Sequence, residues 1–370
     1  MNFVVSSAFA TESIAAQELK QLGIYNVKCK DNKVYFSADA AQGAKACVWL
    51  RSADRLGLLI DEFAANTFDE LFDGIKSLKW NNFIDRNSKI IVQARCVRSK
   101  IMSQRDVQRV SKKAIINSLS ASYKTTYFSE NGTEVFINVS ILNDIATVVI
   151  DLCGDGLHKR GYRLLNSEAP LRETLAASLL LLSGFDGTGT FLDPFCGSGT
   201  LPIEAAMISC NIAPGRNRRF AAENYGWISN AFKEEKQKAF DLQKKMQCEI
   251  LCGDIDSSMV DIANYHAQRA GVDITVKCRD ACSWDDVYHY NGIMVTNPPY
   301  GERLLDKQMA SELMQNFSSV TSDLLEKYWK IGIITPESDL EKLLYAKCSS
   351  KRKIFNSNIQ CTYFQFQNLT

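Results

Sequence analysis

The segment FLDPFCGSGTLPIEAA, residues 191–206, decides the fold. Its apolar beginning predicts a short strand that ends at Asp193, and its last residues predict a helix. Gly197 and Gly199 between the two permit a tight turn and a close approach of the backbone to a ligand. A strand, a glycine-rich turn and a helix in this order are typical of a ligand site at the carboxyl edge of a parallel sheet. We therefore expect an α/β fold.

The glycine-rich turn departs from both common phosphate-binding motifs. It lacks the G-x-x-x-x-G-K-[ST] pattern of a P-loop, and only the first G-x-G of G-x-G-x-x-G is present. The carboxylate of Asp193 in front of the turn suits a cationic or hydroxyl-bearing ligand better than a pyrophosphate. Two glycines alone are equally compatible with a structural turn, so the assignment depends on the neighbouring strands.

Acidic residues also end the next two predicted strands. LCGDIDSS, residues 251–258, contains Asp254 and Asp256, and CRDACSW, residues 278–284, contains Asp280. Asp256 is our choice for the acid that accepts both ribose hydroxyls, with Asp254 in reserve, and Asp280 could accept from an adenine amine. Each acid could instead be a helix N-cap, because each precedes a helical pattern. Three successive strand ends that each carry an acid favour a nucleoside site.

VTNPPYGERL, residues 295–304, ends the fourth strand and indicates the chemistry. Pro298 and Pro299 stiffen the backbone and cannot continue a sheet. The Asn297 side chain and a proline carbonyl then form a fixed pair of acceptors, and Tyr300 offers a ring for stacking on a planar substrate. Two acceptors on an exocyclic amine would draw its nitrogen toward tetrahedral geometry and free its lone pair. A plain Pro-Pro turn is the alternative, but the motif favours reaction at an amine.

The rest of the chain divides into two regions. Strands alternate with helices from residue 171 onward, which predicts a mostly parallel, doubly wound sheet. Residues before about 155 instead predict smaller α+β units, the last of which ends in a hairpin around Asn143-Asp144. Residues 156–170 have the composition of a connector between the two regions.

Composition excludes disorder of the whole chain, since 46% of the residues are hydrophobic and 23% are charged. No run approaches the roughly 20 apolar residues of a membrane span. The amino terminus lacks a basic region and meets Glu12 early, so we expect no signal peptide and a cytoplasmic location. The 12 cysteines are expected to be reduced thiols. One set of cysteines could be considered for zinc: Cys248, Cys252, Cys278 and Cys282. Their C-x3-C spacing is unusual for a zinc site, so we expect no metal.

The net charge of +1 predicts no partner, but the charge is unevenly distributed. Ten lysines and arginines lie between Arg86 and Lys124, against the single acid Asp106. Residues 106–119 have the apolar spacing of an amphipathic helix with its basic residues on the other side. Such a block is compatible with binding of a polyanion and, equally, with a solvated helix face. The oligomeric state is not visible in the sequence.

The motifs taken together resemble a known family of enzymes. DPFCGSGT at 193–200 and TNPPYGER at 296–303 are similar to class I S-adenosylmethionine-dependent methyltransferases that modify exocyclic nitrogens. LHKRGYR at 157–163 and APLRETLAA at 169–177, with the α+β amino-terminal region, resemble the THUMP-domain guanine-N2 RNA methyltransferases. The bacterial large-subunit ribosomal RNA enzymes are the most similar, and the related transfer RNA enzymes follow.

This resemblance implies a fold, a domain order and a reaction. A ferredoxin-like part (1–50), a THUMP RNA-binding domain (51–155) and a linker (156–170) would precede a doubly wound, seven-stranded Rossmann-like methyltransferase domain (171–370). The reaction would transfer a methyl group from S-adenosylmethionine to the exocyclic N2 of a guanine in RNA, with 23S ribosomal RNA preferred. Methylation of guanine N2 in transfer RNA is the first alternative, and a non-catalytic RNA-binding assembly factor is the second.

The resemblance also implies roles for individual residues. Asn297 and Pro298 would accept hydrogen bonds from guanine N2, and Tyr300 would stack on the base, with Pro299 completing the catalytic motif. The cofactor would be held by Arg172, Glu173, Thr174, Asp193, Cys196, Gly197, Gly199, Asp254, Asp256, Asp280 and Ala281. RNA would contact Arg95, Arg98, Lys100, Arg105, Arg109, Lys112, Lys113, Arg160 and Arg163, with Arg216, Arg218 and Arg219 extending the track.

Asn-Pro-Pro-Tyr also occurs in methyltransferases that act on adenine N6 and on glutamine amides of proteins. Those enzymes share the chemistry but not the amino-terminal region of this chain. The basic block and the THUMP-like residues therefore favour RNA as the substrate.

Overall fold

The computed structural model describes residues 1–165, 171–300 and 304–368. Contacts divide the chain into two units, and within the described residues each contains one seven-stranded sheet. The first unit comprises Met1–Ser6, Ala15–Leu157 and Arg218–Lys238, and the second comprises Ser7–Ile14, His158–Asn217 and Ala239–Thr370.

The first unit has the sheet order β2-β3-β1-β4-β7-β6-β5. Its strands are β1 (Asn2–Ser7), β2 (Val27–Lys30), β3 (Lys33–Ser37), β4 (Ala53–Ala64), β5 (Lys89–Val97), β6 (Glu134–Leu142) and β7 (Ile145–Asp151). Its helices are α1 (Glu12–Gln21), α2 (Ala40–Trp49), α3 (Phe68–Lys76) and α4 (Gln104–Tyr123), with a 3-10 turn at Trp80–Asn82. The predicted α+β character is confirmed.

Two hairpins in this sheet follow from their turn residues. Asp31 and Asn32 join β2 to β3, and Asn143 and Asp144 join β6 to β7. All four residues have positive φ, between 51° and 63°, which Asn and Asp tolerate better than other residues. The sequence did not indicate β4, which lies between β1 and β7. The predicted ferredoxin-like and THUMP parts therefore share one sheet.

The second unit has the sheet order β10-β9-β8-β11-β12-β14-β13. Its strands are β8 (Thr188–Asp193), β9 (Gln247–Asp254), β10 (Lys277–Cys278), β11 (Ile293–Thr296), β12 (Lys330–Thr335), β13 (Ser350–Asn356) and β14 (Ile359–Phe366). Helices in this half of the chain are α5 (Glu173–Leu182), α6 (Thr200–Ser209), α7 (Ser229–Asp241), α8 (Ser257–Ala270), α9 (Leu304–Glu326) and α10 (Leu340–Leu343). Strands β8 to β12 pair in parallel, and β14 is antiparallel to both of its neighbours.

The core of the second unit explains its parallel sheet. Successive residues of a strand point to opposite faces, and both faces are apolar here. On β8, Leu192 belongs to one buried cluster and Phe191 to another. On β11, Met294 and Val295 divide between the same two clusters in the same way. Burial of both faces confirms the predicted doubly wound α/β architecture.

Residues 218–238 lie between α6 and β9 in the sequence but belong to the first unit. Trp49 donates from Nε1 to Glu235 Oε1 over 2.8 Å, in a buried hydrogen bond. The Tyr225 hydroxyl donates to the Asp151 carbonyl over 3.1 Å. These bonds join residues far apart in the sequence, and no local pattern indicated them.

Candidate active site

Four parallel strands of the second unit end at one edge of their sheet. β8 lies between β9 and β11, and β10 lies on the far side of β9. The register places Asp193 of β8 opposite Cys252 of β9, and Asp254 of β9 opposite Cys278 of β10. Asn297 follows the last residue of β11 directly. The structure thus brings to one edge the strand ends that carry the predicted cofactor and catalytic residues.

The glycine-rich turn is fixed from beneath by the end of β9. Cys196 donates its N–H to the Gly253 carbonyl over 3.0 Å, and Gly197 donates to Asp254 Oδ2 over 2.8 Å. Gly199 has φ +85°, and a Cβ there would lie 2.9 Å from the Cβ of Ala263. Gly197 has φ +50°, and a Cβ there would meet nothing within 4 Å. The turn therefore needs both glycines and leaves open space above Gly197.

Asp254, Asp256 and Asp280 lie at this edge, and each accepts a hydrogen bond from a backbone N–H. Asp254 supports the turn with Oδ2 and accepts from the Asp256 N–H with Oδ1 over 3.0 Å. Asp256 is the N-cap of α8, and its Oδ1 accepts from the N–H and hydroxyl of Ser258. Asp280 accepts from the Cys282 N–H over 2.8 Å. The N-cap alternative is thus confirmed for Asp256, and its contact with a ribose stays a prediction.

Asp256 is exposed and ready to accept from a ligand. Hydrogen bonds from the Ser258 side chain and backbone hold the pKa of its carboxyl below the usual range. It therefore stays ionised over the physiological pH range. Both bonds from Ser258 use Oδ1 of Asp256.

Asp193 is a buried carboxyl with one unsatisfied oxygen. Its Oδ1 accepts from the Thr296 hydroxyl over 2.7 Å and from the Phe195 N–H over 3.3 Å. Its Oδ2 is buried and has no hydrogen-bond partner among the described residues. Burial raises the pKa of Asp193 to about 7. A cationic ligand group would satisfy Oδ2 and favour the ionised form. Thr296, part of the TNPPY motif, was not among the predicted site residues.

The Asn-Pro-Pro-Tyr corner follows β11. Pro298 is buried, Pro299 is exposed, and Asn297 and Tyr300 are half-buried. Asn297 Oδ1 is itself buried and has no partner among the residues the structure describes. A buried polar atom left unpaired costs about 1–3 kcal/mol, and functional sites are where such atoms are retained. Asn297 therefore has a buried acceptor without a donor among the described residues, and its contact with a target amine stays a prediction.

Arg163 joins two segments predicted to hold the cofactor. Its Nη2 donates to the Leu171 carbonyl over 3.3 Å and to the Thr200 hydroxyl, and its Nη1 lies 3.6 Å from Glu173 Oε1. Glu173 begins α5, and Thr200 begins α6 directly after the glycine-rich turn. Burial raises the pKa of Glu173, and the Arg163 charge acts against that rise. The neighbouring Arg172 is exposed at the N-cap of α5.

Two other predicted cofactor residues have buried side chains. Thr174 is fully buried, and its carbonyl accepts from the Ser178 hydroxyl. Ala281 is 5% exposed and packs in the apolar cluster that contains Leu192 and Met294. Cys196 is also buried. Contacts of these residues with a cofactor stay predictions.

Two predicted RNA contacts are contradicted by burial. The Arg160 side chain is 2% exposed and lies 3.5 Å from Glu204 Oε1, which also accepts from the Tyr162 hydroxyl. Arg163 is 15% exposed in its side chain and bonds inward as described. The proposed extension fails in part for the same reason, because Arg216 and Arg218 are buried. Positive charge in the sequence did not reveal these partners, which are acids for Arg160 and Arg163, the Gln243 side chain for Arg216 and backbone carbonyls for Arg218.

The basic block of the first unit is exposed as predicted. α4 buries the face that contains Val107, Ala114, Ile115 and Leu119. β5 lies at the edge of its sheet. Lys112 is half-buried and pairs with Glu130 at 2.8 Å, and the remaining predicted residues are exposed: Arg95, Arg98, Lys100, Arg105, Arg109 and Lys113. Their contact with RNA stays a prediction.

The described residues show no group of three or more metal-ligating side chains that could hold an ion. Cys248 and Cys252 are buried, whereas Cys278 is exposed. None of the helices in the described ranges is long and apolar enough to cross a membrane.

The fold and this edge define a class I S-adenosylmethionine-dependent methyltransferase. Residues 160–365 match the RMKL-like methyltransferase domain, residues 2–56 match the RlmL ferredoxin-like domain, and residues 65–151 match the THUMP domain. The chain therefore belongs to the RMKL-like methyltransferase family, with a ferredoxin-like domain and a THUMP domain at its amino-terminal side.

Named relatives agree with this assignment. The putative RNA methyltransferase YpsC of Bacillus subtilis is 37% identical over 374 residues, which cover 98% of this chain and 95% of that protein. The ribosomal RNA large subunit methyltransferase K/L of Shewanella baltica is 30% identical over 98% of this chain, which spans only 52% of that protein.

Solved structures share the whole fold. A predicted N6-adenine-specific DNA methylase from Listeria monocytogenes has a TM-score of 0.93 at 37% identity, and covers 100% of this chain and 96% of its own. SMU.472, a putative methyltransferase complexed with SAH, has a TM-score of 0.92 at 35% identity, with 100% and 98% coverage. TrmN from Thermus thermophilus, with a TM-score of 0.73 at 18% identity, shares the fold.

S-adenosylmethionine is the cofactor of this family, and the residues at the strand edge fit it. Open space above Gly197, an ionised Asp256 and the unsatisfied Oδ2 of Asp193 offer room, a hydroxyl acceptor and a partner for a cation. The methionine end of the cofactor carries an ammonium group and the nucleoside end carries a ribose.

Asp193 predicts a pH dependence of stability. Its pKa of about 7 lies above that of an unfolded aspartate, so the folded state binds more protons and stability falls as the pH rises from about 4 through 7. Relative to Asp193→Asn, the free energy of unfolding of the wild type should fall by up to about 3 kcal/mol between pH 5 and pH 8. Thermal melting of both proteins across this range checks it. Parallel pH profiles would show that Asp193 does not titrate as expected, and saturating S-adenosylhomocysteine should narrow the difference.

Arg163 predicts a separation of cofactor binding from RNA binding. Arg163→Gln leaves Glu173 buried without its cation, which should cost about 3 kcal/mol of stability and weaken S-adenosylhomocysteine binding severalfold. RNA affinity should stay within about twofold, because the wild-type arginine is bonded inward. Arg105→Gln on exposed α4 is the reciprocal control. A loss of RNA affinity in Arg163→Gln equal to that in Arg105→Gln would restore the surface role.

Proposed function

We propose that this protein methylates the exocyclic N2 of a guanine in RNA, and that its substrate is large-subunit 23S ribosomal RNA. The K/L relatives are named as ribosomal RNA large subunit methyltransferases, and YpsC is named as a putative RNA methyltransferase. The THUMP match and the exposed basic block supply a surface suited to RNA. A cytoplasmic site of action is part of the proposal, because the substrate RNA is assembled there.

The unpartnered Oδ1 of Asn297 is the observation that carries the chemistry. An exocyclic amine is a weak nucleophile because its lone pair is delocalised into the ring. Asn297 Oδ1 and the Pro298 carbonyl hold the two amine protons, so positive charge that develops on the nitrogen meets fixed acceptors. The cofactor, when bound, supplies a methyl group on a sulfonium. The chain's task is then alignment of the amine, since in-line transfer depends on geometry.

The basic block and Tyr300 serve substrate positioning. Phosphate contacts by exposed arginines and lysines place the RNA without reading its sequence. The target guanine must leave its stack to enter a pocket, at a cost of a few kcal/mol that is lowest in a loop. Stacking on the Tyr300 ring offsets part of that cost.

Three alternatives are distinguished by the substrate and the product. A transfer RNA enzyme would form the same N2-methylguanosine in a different RNA. The Listeria structure is named as a predicted N6-adenine-specific DNA methylase, and the same Asn-Pro-Pro-Tyr chemistry would then yield N6-methyladenine. An assembly factor would bind RNA without forming product.

Purified protein, tritiated S-adenosylmethionine and unmodified 23S ribosomal RNA test the proposal directly. We expect about one methyl group per RNA molecule, which nuclease digestion and mass spectrometry identify as N2-methylguanosine. Transfer RNA and single-stranded DNA serve as the comparison substrates. N6-methyladenine as the product, or turnover on transfer RNA or DNA alone, would replace the proposed substrate.

Asn297→Ala should remove methyl transfer and leave cofactor binding nearly intact. The change deletes the acceptor but none of the groups that hold the glycine-rich turn, so S-adenosylhomocysteine affinity should stay within about twofold. Loss of one such preorganised group lowers kcat by about 100-fold or more. Calorimetry and single-turnover assays measure the two effects. Wild-type turnover in this variant would refute the acceptor role of Asn297.

The basic block should control RNA affinity and its salt dependence. The double change Arg105→Glu with Lys113→Glu removes two phosphate contacts, so the slope of log K against log salt should fall by about 1.5. Cofactor binding should not change. Lys20→Glu with Lys28→Glu, at exposed positions of the same unit outside the block, is the matched control. Equal losses in both pairs would mean that the block is only a solvated face.

A further inference from the structure

The catalytic corner is held by a residue that no motif indicated. Asn356 is the last residue of β13 and donates from Nδ2 to the Tyr300 hydroxyl over 3.1 Å. β13 pairs antiparallel with β14, which pairs antiparallel with β12. β13 therefore runs in the direction of the parallel strands and ends at the same edge as β11. The carboxy-terminal hairpin thus reaches the corner from the outer side of the sheet.

Asn356 is a polar residue on an apolar face. Its side chain shares that face of the hairpin with Ile354 and Tyr363, which belong to a buried cluster, and Asn356 itself is 3% exposed. Asn356 Oδ1 is buried and has no partner among the described residues. An apolar side chain would fill this position without that cost of about 1–3 kcal/mol. The cost indicates that the amide is retained for its contact with Tyr300.

The bond from Asn356 limits the freedom of the Tyr300 ring. A tyrosine side chain is attached to the backbone at one end, and here the backbone is stiffened by Pro298 and Pro299. A hydrogen bond at the hydroxyl fixes the other end, so the direction of the ring's long axis is set before a substrate arrives. Burial raises the pKa of the Tyr300 hydroxyl, and side-chain hydrogen bonds with Asn356 and Asn297 act against that rise.

We propose that Asn356 is a positioning residue of the catalytic corner, which orients the Tyr300 ring for stacking on the target base and steadies the adjacent Asn297. The inference rests on the proposed function, because it assigns Tyr300 to the base. Preorganisation of this kind shows in kcat rather than in cofactor affinity. Among the described residues, the side-chain hydrogen bond of Asn356 goes to Tyr300 and not to a residue that holds the glycine-rich turn.

A double-mutant cycle tests the proposal on 23S ribosomal RNA with tritiated S-adenosylmethionine. Asn356→Ala and Tyr300→Phe should each lower kcat about tenfold, the worth of one hydrogen bond, with KM for RNA changed by less than about threefold. The double variant should be no slower than Tyr300→Phe, because both changes break the same bond. S-adenosylhomocysteine affinity, measured by calorimetry, should not change.

Two further variants keep the cycle decisive. Asn358→Ala lies at an exposed position in the turn of the same hairpin and should match the wild type. Asn356→Asp keeps the size, and its carboxylate accepts a hydrogen bond from the Tyr300 hydroxyl, so it should retain more turnover than Asn356→Ala. If Asn356→Ala does not fold, Tyr300→Phe and Asn356→Asp carry the test, and wild-type kcat in Tyr300→Phe overturns the proposal.

The outcomes separate this inference from the proposed function. If the wild-type protein methylates no RNA, both the proposed function and the inference about Asn356 are overturned. Wild-type turnover with multiplicative losses in the double variant, or with weakened cofactor binding in Asn356→Ala, shows that Asn356 only supports the fold and overturns the inference alone.

Discussion

The hydrogen bond from the Thr296 hydroxyl to Asp193 joins the ends of the two strands on which the site depends. β8 leads into the glycine-rich turn, and β11 leads into the Asn-Pro-Pro-Tyr corner. The strands are hydrogen-bonded neighbours in a parallel sheet, so their ends are separated by about 5 Å. Methyl transfer requires a donor and an acceptor at fixed separation, and two adjacent strand ends meet that requirement through the backbone itself.

The second unit contains two ion pairs with buried acids, in addition to the buried Asp193 at the strand edge. Arg160 with Glu204, and Arg163 with Glu173, form ion pairs whose side chains are almost entirely withdrawn from water. Buried pairs of this kind add little net stability, because desolvation offsets their attraction. Their value is geometric, since removing one partner strands the other. The starts of α5 and α6 are thereby held in one arrangement around the glycine-rich turn.

Local patterns in the sequence predicted the turns and strand ends that form the site. They did not predict the contacts between distant residues that hold the site in place. Turn dipeptides, strand-end acids and the Pro-Pro pair act within a few residues, and the structure has them where they were expected. β4 was not expected because Asp54, Arg55, Asp61 and Glu62 interrupt its apolar pattern, and a bulge between Leu59 and Asp61 shifts its register. Arg160 was assigned to the RNA surface because its buried partner, Glu204, lies 44 residues away in the sequence. Asn356 belongs to no motif and meets Tyr300 only through the sheet order.

The path of the chain bears on how the protein could be divided. The methyltransferase family match runs from 160 to 365, yet Arg218–Lys238 within it folds with the first unit, and Ser7–Ile14 folds with the second. A gene fragment that starts at residue 160 would expose Phe220 and Phe232, which are 2% and 0% exposed in the full chain. It would also lack Ala10, whose carbonyl accepts from Arg352 of β13 in the carboxy-terminal hairpin. A cut at residue 160 would therefore divide each unit, because both units contain residues from either side of it.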